Sequence, residues 1–168
     1  DVLVENFVPG TMARFGLDYS SVKHLNPRLV YVSITGFGQD GPEAQQPALD
    51  IVVQAMGGIM SITGEPDAPP IRPGASLGDS VAGTFAALAI VSALYQRQRS
   101  DHGQYIDMSM LDCQVTLMEN AFSRYFSTGQ VPEPMGSRHP AAAPFQAFQA
   151  SDSYFVIALL TDDRETWR

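Results

Sequence analysis

The sequence has one cysteine, Cys113, in 168 residues. That excludes an internal disulfide framework and suits a reducing, cytoplasmic compartment. Basic residues are scarce: 10 lysines and arginines stand against 18 acids, a formal net charge of −8. No basic block offsets this balance, so a phosphate backbone is repelled and nucleic acid is not an expected partner. An anionic ligand must be held by local donors rather than by the field of the whole chain. The three histidines, His24, His102 and His139, show no metal spacing with one another or with Cys113, so no metal site is expected. No apolar run reads as long enough to cross a bilayer, and no signal peptide opens the chain, so no membrane partner is expected.

What is there is a chain 45% hydrophobic, with 14 glycines and 12 prolines. It can form one domain, or one and a fraction, around a real core. Strand-like and helix-like runs alternate, which predicts an α/β fold with a parallel sheet. Residues 2–5, VLVE, read as a buried strand already under way behind Asp1, as in a piece of a longer protein. A short helix from Ser20 or Ser21 is stopped by Asn26-Pro27, and a β-branched strand follows over 28–35. Helices are predicted over 48–56 and 80–96, the second apolar nearly all round and so buried on most sides. A strand over 103–110 leads into an amphipathic helix, 109–126, opened by Ser109 and Asp112 as a capping pair. The proline-rich stretch 127–144 is a domain boundary, giving a first unit over 1–130 and a second over 131–168. The second unit holds a strand in SYFVIALL and the start of a helix in DDRETWR.

GFGQDG, residues 36–41, is a literal G-x-G-x-x-G after a strand. A dinucleotide site needs those glycines to open a helix, whereas Pro42 and EAQQP follow here, so the segment reads as a loop. Asp79, in LGDS ahead of the long helix, carries two readings. One is a helix N-cap accepting backbone N–H bonds. The other uses the same geometry for chemistry: an ionised carboxylate with Gly78 and Gly83 leaving room beside it can be a nucleophile, and nearby amides could hold an oxyanion. Asp107 and Asp112 read as structural. His139 is the histidine nearest to a prospective site. Ser76, Ser80 and Ser109 have no evident histidine partner, which weakens a serine hydrolase.

DVLVENFVPGTMARFGLDY, NPRLVYVSITGFGQDGP, LDIVVQAMGGIMSITGEPD, PPIRPGASLGDSVAG, GQYIDMSMLD and GSRHPAAAPFQAF follow one another in order. Together they closely resemble the family III CoA-transferases, and the likeness runs through nearly the whole chain. The resemblance implies part of a Rossmann-like parallel domain plus the start of a smaller α/β domain, from longer chains that interlock as a homodimer. It implies that Asp79 is a covalent nucleophile, its helix-end geometry kept. It implies that Asn6, Phe7, Val8 and Arg14 bind coenzyme A, and it leaves Leu49 and Arg72 as substrate-side candidates, Arg72 for a carboxylate. The substrates would be an acyl-CoA and a carboxylic acid, coenzyme A being substrate rather than a permanently bound cofactor. Related α-methylacyl-CoA racemases carry a histidine where this chain has Leu49, which favours the transferase. The alternatives are a racemase-type enzyme and a folded segment of the transferase that does not turn over alone.

Overall fold

A computed structural model describes residues 1–159. Three strands, β1 (Val2–Glu5), β2 (Val30–Thr35) and β3 (Tyr105–Ser109), form a parallel sheet in that order. Two short helices, α1 (Thr11–Arg14) and α2 (Tyr19–Val22), connect β1 to β2. Between β2 and β3 lie α3 (Asp50–Met56), a 3₁₀ turn at Ile59–Ser61, and the 24-residue α4 (Leu77–Ser100). After β3 come α5 (Met110–Val115), another 3₁₀ turn, and α6 (Glu119–Thr128). A separate antiparallel hairpin pairs β4 (Phe145–Gln149) with β5 (Tyr154–Ala158). The mixed, parallel-sheet α/β architecture is the one expected.

Strand alternation gives the sheet two unlike faces. Val2 faces the same side as Val30, Val32, Ile34, Ile106 and Met108, and α4 packs there through Ala86 and Ala93. Val30 and Val32 are fully buried, each worth roughly 1.5–3 kcal/mol of hydrophobic stabilisation. The opposite face carries Glu5, Tyr31, Ser33, Tyr105 and Asp107.

Several expectations are corrected. α4 begins at Leu77, not residue 80, and runs to Ser100, where Asp101 ends it in a left-handed conformation at φ 59°. By length and composition it is apolar enough to cross a membrane, contrary to the sequence reading, but it lies along the sheet. It is not buried all round either. Its buried residues, Gly78, Ala82, Ala86, Ala93 and Arg97, recur at spacings of four and seven and so form one stripe of mostly small side chains that lets the helix approach closely. Phe85, Leu88, Val91 and Tyr95 are left exposed. The helix expected over 109–126 is interrupted at Thr116–Met118, where the Thr116 hydroxyl donates to the Cys113 carbonyl. Strand β4 was not anticipated. The helix expected in DDRETWR lies outside the described residues.

Candidate active site

α4 runs antiparallel to the strands. At its C-terminal end Arg97, 7% exposed, donates to the carbonyls of Asp1 and Arg28, just ahead of β1 and β2. Its N-terminal end therefore stands at the carboxyl ends of the strands, the edge where open α/β sheets bind ligands. Asp79 projects there from the first helical turn and is exposed. It is not the N-cap. Ser76 holds that position, and Ser76 makes no side-chain cap bond of its own.

The cap is supplied from another helix. Asp50, in the first turn of α3 and 9% exposed, accepts the Gly78 N–H on Oδ1 at 2.9 Å. Its Oδ2 accepts from Gln54 Nε2 at 2.6 Å and from Arg72 Nη2 at 3.0 Å. Arg72 Nη2 also donates to Ser76 Oγ at 3.2 Å, and Gln54 Nε2 to the Ala75 carbonyl at 3.1 Å. Arg72 is thus neither a freely solvated loop charge nor remote: an ion pair holds it beside the start of α4. Leu49, which opens α3 immediately before Asp50, is 74% exposed. The structure gathers Leu49, Arg72 and Asp79 around Asp50. The first-turn amides are less free than the sequence reading supposed: Leu77 N–H goes to Ala75, Gly78 to Asp50 and Ser80 to Ser76. Those three amides are not available to an oxyanion formed at Asp79.

Asn6, Phe7 and Val8 follow directly from the carboxyl end of β1, on the same edge as Asp79. The Phe7 N–H donates to Glu5 Oε2 at 2.8 Å, and the Phe7 and Val8 side chains are about half exposed. Arg14 ends α1, donating to Thr11 Oγ1. Val8 borders a cavity of about 330 Å³ on the polar face of the sheet, shared with Glu5, Tyr19, Tyr31, Ser33 and Tyr105. Asn6, Phe7 and Arg14 do not line it. Burial, reinforced by the Glu5 charge, pushes the Tyr31 phenol up to about 12. Burial also raises Asp107, which accepts the Gln39 N–H at 2.9 Å and so ties down the GFGQDG loop. In that loop Gly38 and Gly41 take positive φ, and no helix follows before Asp50, as a loop reading requires. Cys113 is buried with its thiol pushed up by desolvation, which suppresses thiolate chemistry. His139 stacks on Phe145 at 4.6 Å, and its Nδ1 accepts from the Ala141 N–H. It lines a cleft of about 250 Å³ with Arg124 and Arg138 instead of joining the Asp79 group. No cluster of metal-ligating side chains occurs among the described residues.

Sequence reasoning placed Asp50 on a helix, next to the position where racemases carry a histidine, but gave it no role of its own. A signal was present: an acid in the first turn of an otherwise apolar helix, with a glutamine at i+4.

Comparison with known proteins bears on the whole chain. Residues 1–167 match the model of CoA-transferase family III. Acetyl-CoA:oxalate CoA-transferase of Acetobacter aceti is 49% identical over 163 residues, covering 96% of this chain and 42% of that protein. Succinate–glutarate CoA-transferase of Agrobacterium fabrum is 42% identical, over 96% of this chain and 40% of that protein. A crystal structure of a CAIB/BAIF family protein from Brucella suis superposes with a TM-score of 0.88 at 46% identity, covering 94% of this chain and 42% of the other. The chain therefore spans well under half the length of these relatives.

Proposed function

This chain belongs to CoA-transferase family III, and from that premise we propose that the protein carrying it moves coenzyme A between carboxylic acids, with Asp79 as nucleophile. The observation that carries the reading is the Asp79 carboxylate itself: exposed, on the first turn of a helix fixed at both ends, at the carboxyl edge of a parallel sheet. The Asp79 carboxylate attacks the acyl-CoA carbonyl, giving a mixed anhydride and the CoA thiolate. The thiolate attacks the aspartyl carbonyl, forming an aspartyl-CoA thioester and releasing the donor acid. The acceptor carboxylate attacks that thioester, regenerating an anhydride and the thiolate. The thiolate then takes the acceptor acyl group and frees Asp79. Each acyl transfer reverses another, so the exchange is redox-neutral.

In this scheme Asn6, Phe7, Val8 and Arg14 hold coenzyme A, which is a substrate and leaves in each cycle. Arg14 gives an acidic chain the local cation that a phosphorylated ligand requires. Arg72 meets a substrate carboxylate through the guanidinium edge that Asp50 leaves open, and the exposed Leu49, next to Asp50 in the chain, is the apolar candidate on the substrate side. We extend the proposal to a homodimer of the full-length protein and to a unit boundary near residue 130. The names of the relatives make dicarboxylates, oxalate and glutarate among them, the acceptors to try first.

The test uses a full-length enzyme carrying this sequence, acetyl-, succinyl- and formyl-CoA as donors, and hydroxylamine or borohydride as trap. Modification at Asp79 by mass spectrometry, abolished in Asp79→Ala, is the expected result. An unmodified Asp79 together with solvent-deuterium exchange at the acyl α-carbon would instead move the protein to the racemase branch.

A further inference from the structure

We propose that Asp50 is a positioning residue for this chemistry, building the start of α4 from outside so that the neighbouring Asp79 carboxylate is left unoccupied; this rests on the transferase reading of Asp79. Helix starts leave amides without intrahelical partners, and a carboxylate or hydroxyl ordinarily takes one of them. Here the two local candidates do not. Ser76 makes no side-chain cap bond, and its hydroxyl is turned to Arg72. Asp79 lies in the first turn with its carboxylate exposed. The acceptor comes from α3 instead, and it grips the amide of Gly78, the residue immediately before Asp79.

The arrangement extends to the chain leading in. Asp50 and Gln54 lie one turn apart on α3, on one side of it. Between them they hold Arg72, the Ala75 carbonyl and the Gly78 amide. Those three positions carry the proline-rich segment into the helix, a stretch with no regular structure to fix its own path. Gln54 is fully buried and Asp50 nearly so, and the Asp50 carboxylate is met by three donors, so the clamp is charge-assisted and open to solvent only on its Arg72 side. Gly78 is part of it: a Cβ there would lie 2.5 Å from Val53 Cγ2 and 3.2 Å from Asp50 Oδ1. A nucleophile must be held within a fraction of an ångström to attack efficiently. One residue away from the clamp, the Asp79 backbone has little freedom, while its side chain owes nothing to the fold.

The test compares wild type, Asp50→Asn, Arg72→Met and the double variant in the full-length enzyme. Asparagine keeps the shape and one acceptor but turns an NH₂ toward Gln54 and Arg72. Asp50→Asn should slow both kcat and Asp79 trapping about 10- to 100-fold, with KM for acyl-CoA changed less than about threefold. Arg72 is on the surface, so Arg72→Met keeps a folded comparison even where Asp50→Asn is unstable. With acetyl-CoA as donor, whose acyl group has no free carboxylate for Arg72 to meet, the double variant should trap no more slowly than Asp50→Asn alone, because the two residues then act as one unit. Trapping at the wild-type rate in Asp50→Asn, a raised KM at unchanged kcat, or full additivity in the double variant overturns the positioning role alone. A wild-type enzyme that forms no adduct at Asp79 overturns the transferase reading and this inference with it.

Discussion

Replacing Gly78 by alanine pits local propensity against tertiary fit. The residue is helical, so exchange for alanine should by propensity alone stabilise α4 by up to about 1 kcal/mol. The surroundings argue the other way. The new methyl would sit 2.5 Å from Val53 Cγ2, on a fully buried side chain, and 3.6 Å from Met110 Cε. Overpacking of this kind costs about 1–3 kcal/mol. Any retreat of the helix to relieve it stretches the Asp50–Gly78 bond, a hydrogen bond to a charged group worth about 1.5–3 kcal/mol. The balance is a destabilisation of about 2–4 kcal/mol. Urea denaturation of the full-length enzyme should show a lower midpoint at unchanged slope, with Asp79 trapping slowed in parallel. A midpoint raised above wild type, with trapping unaffected, would falsify the claim that this contact is tight.

Two further outcomes follow from hydrogen bonds away from the site. The Tyr31 hydroxyl donates to the Leu17 carbonyl, so Tyr31→Phe should be less stable than wild type by about 1 kcal/mol at neutral pH. The folded phenol ionises near 12 against 10.0 for the ordinary group, so wild type loses stability as pH rises through that window. The gap to Tyr31→Phe should therefore narrow above pH 10 in alkaline unfolding, and curves that stay parallel would contradict the burial argument. The Ser109 hydroxyl accepts the Asp112 N–H at the start of α5, so Ser109→Ala should cost about 1 kcal/mol in thermal denaturation. Ser109→Thr should recover most of it, and a threonine variant no better than alanine would show that the cap contributes little.

The three parallel strands were legible as short apolar runs, VYVSIT the most β-branched and the one buried on both faces, and the order of motifs carried the family. The Ser109 cap was legible because donor and acceptor lie three residues apart. The start of α4 was not. Pro73 and Gly74, with Gly78 just beyond, read locally as a chain still in a loop, and the carboxylate that makes Leu77–Asp79 helical comes from α3. For the same reason Asp79 was first given a capping role that belongs to Asp50. The exposed side of α4 escaped notice because an apolar helix in a sequence carries no record of which of its residues meet the sheet. Strand β4 was hidden by FQAFQ, a short segment whose glutamines dilute the alternation and whose pairing depends on β5.

The two ends of α4 are fixed to different things, Gly78 to Asp50 and Arg97 to the backbone ahead of β1 and β2. About five turns separate them. Inserting or deleting one residue between these anchors would turn one end by about 100° relative to the other. Either the arginine would leave its carbonyls or the carboxylate of residue 79 would point away from the sheet edge. Substitutions on the outward side of the helix change neither relation. Across related chains, then, this segment should vary in letters far more readily than in number of letters, and a gap placed within it in an alignment would mark an error or a protein that has lost the chemistry.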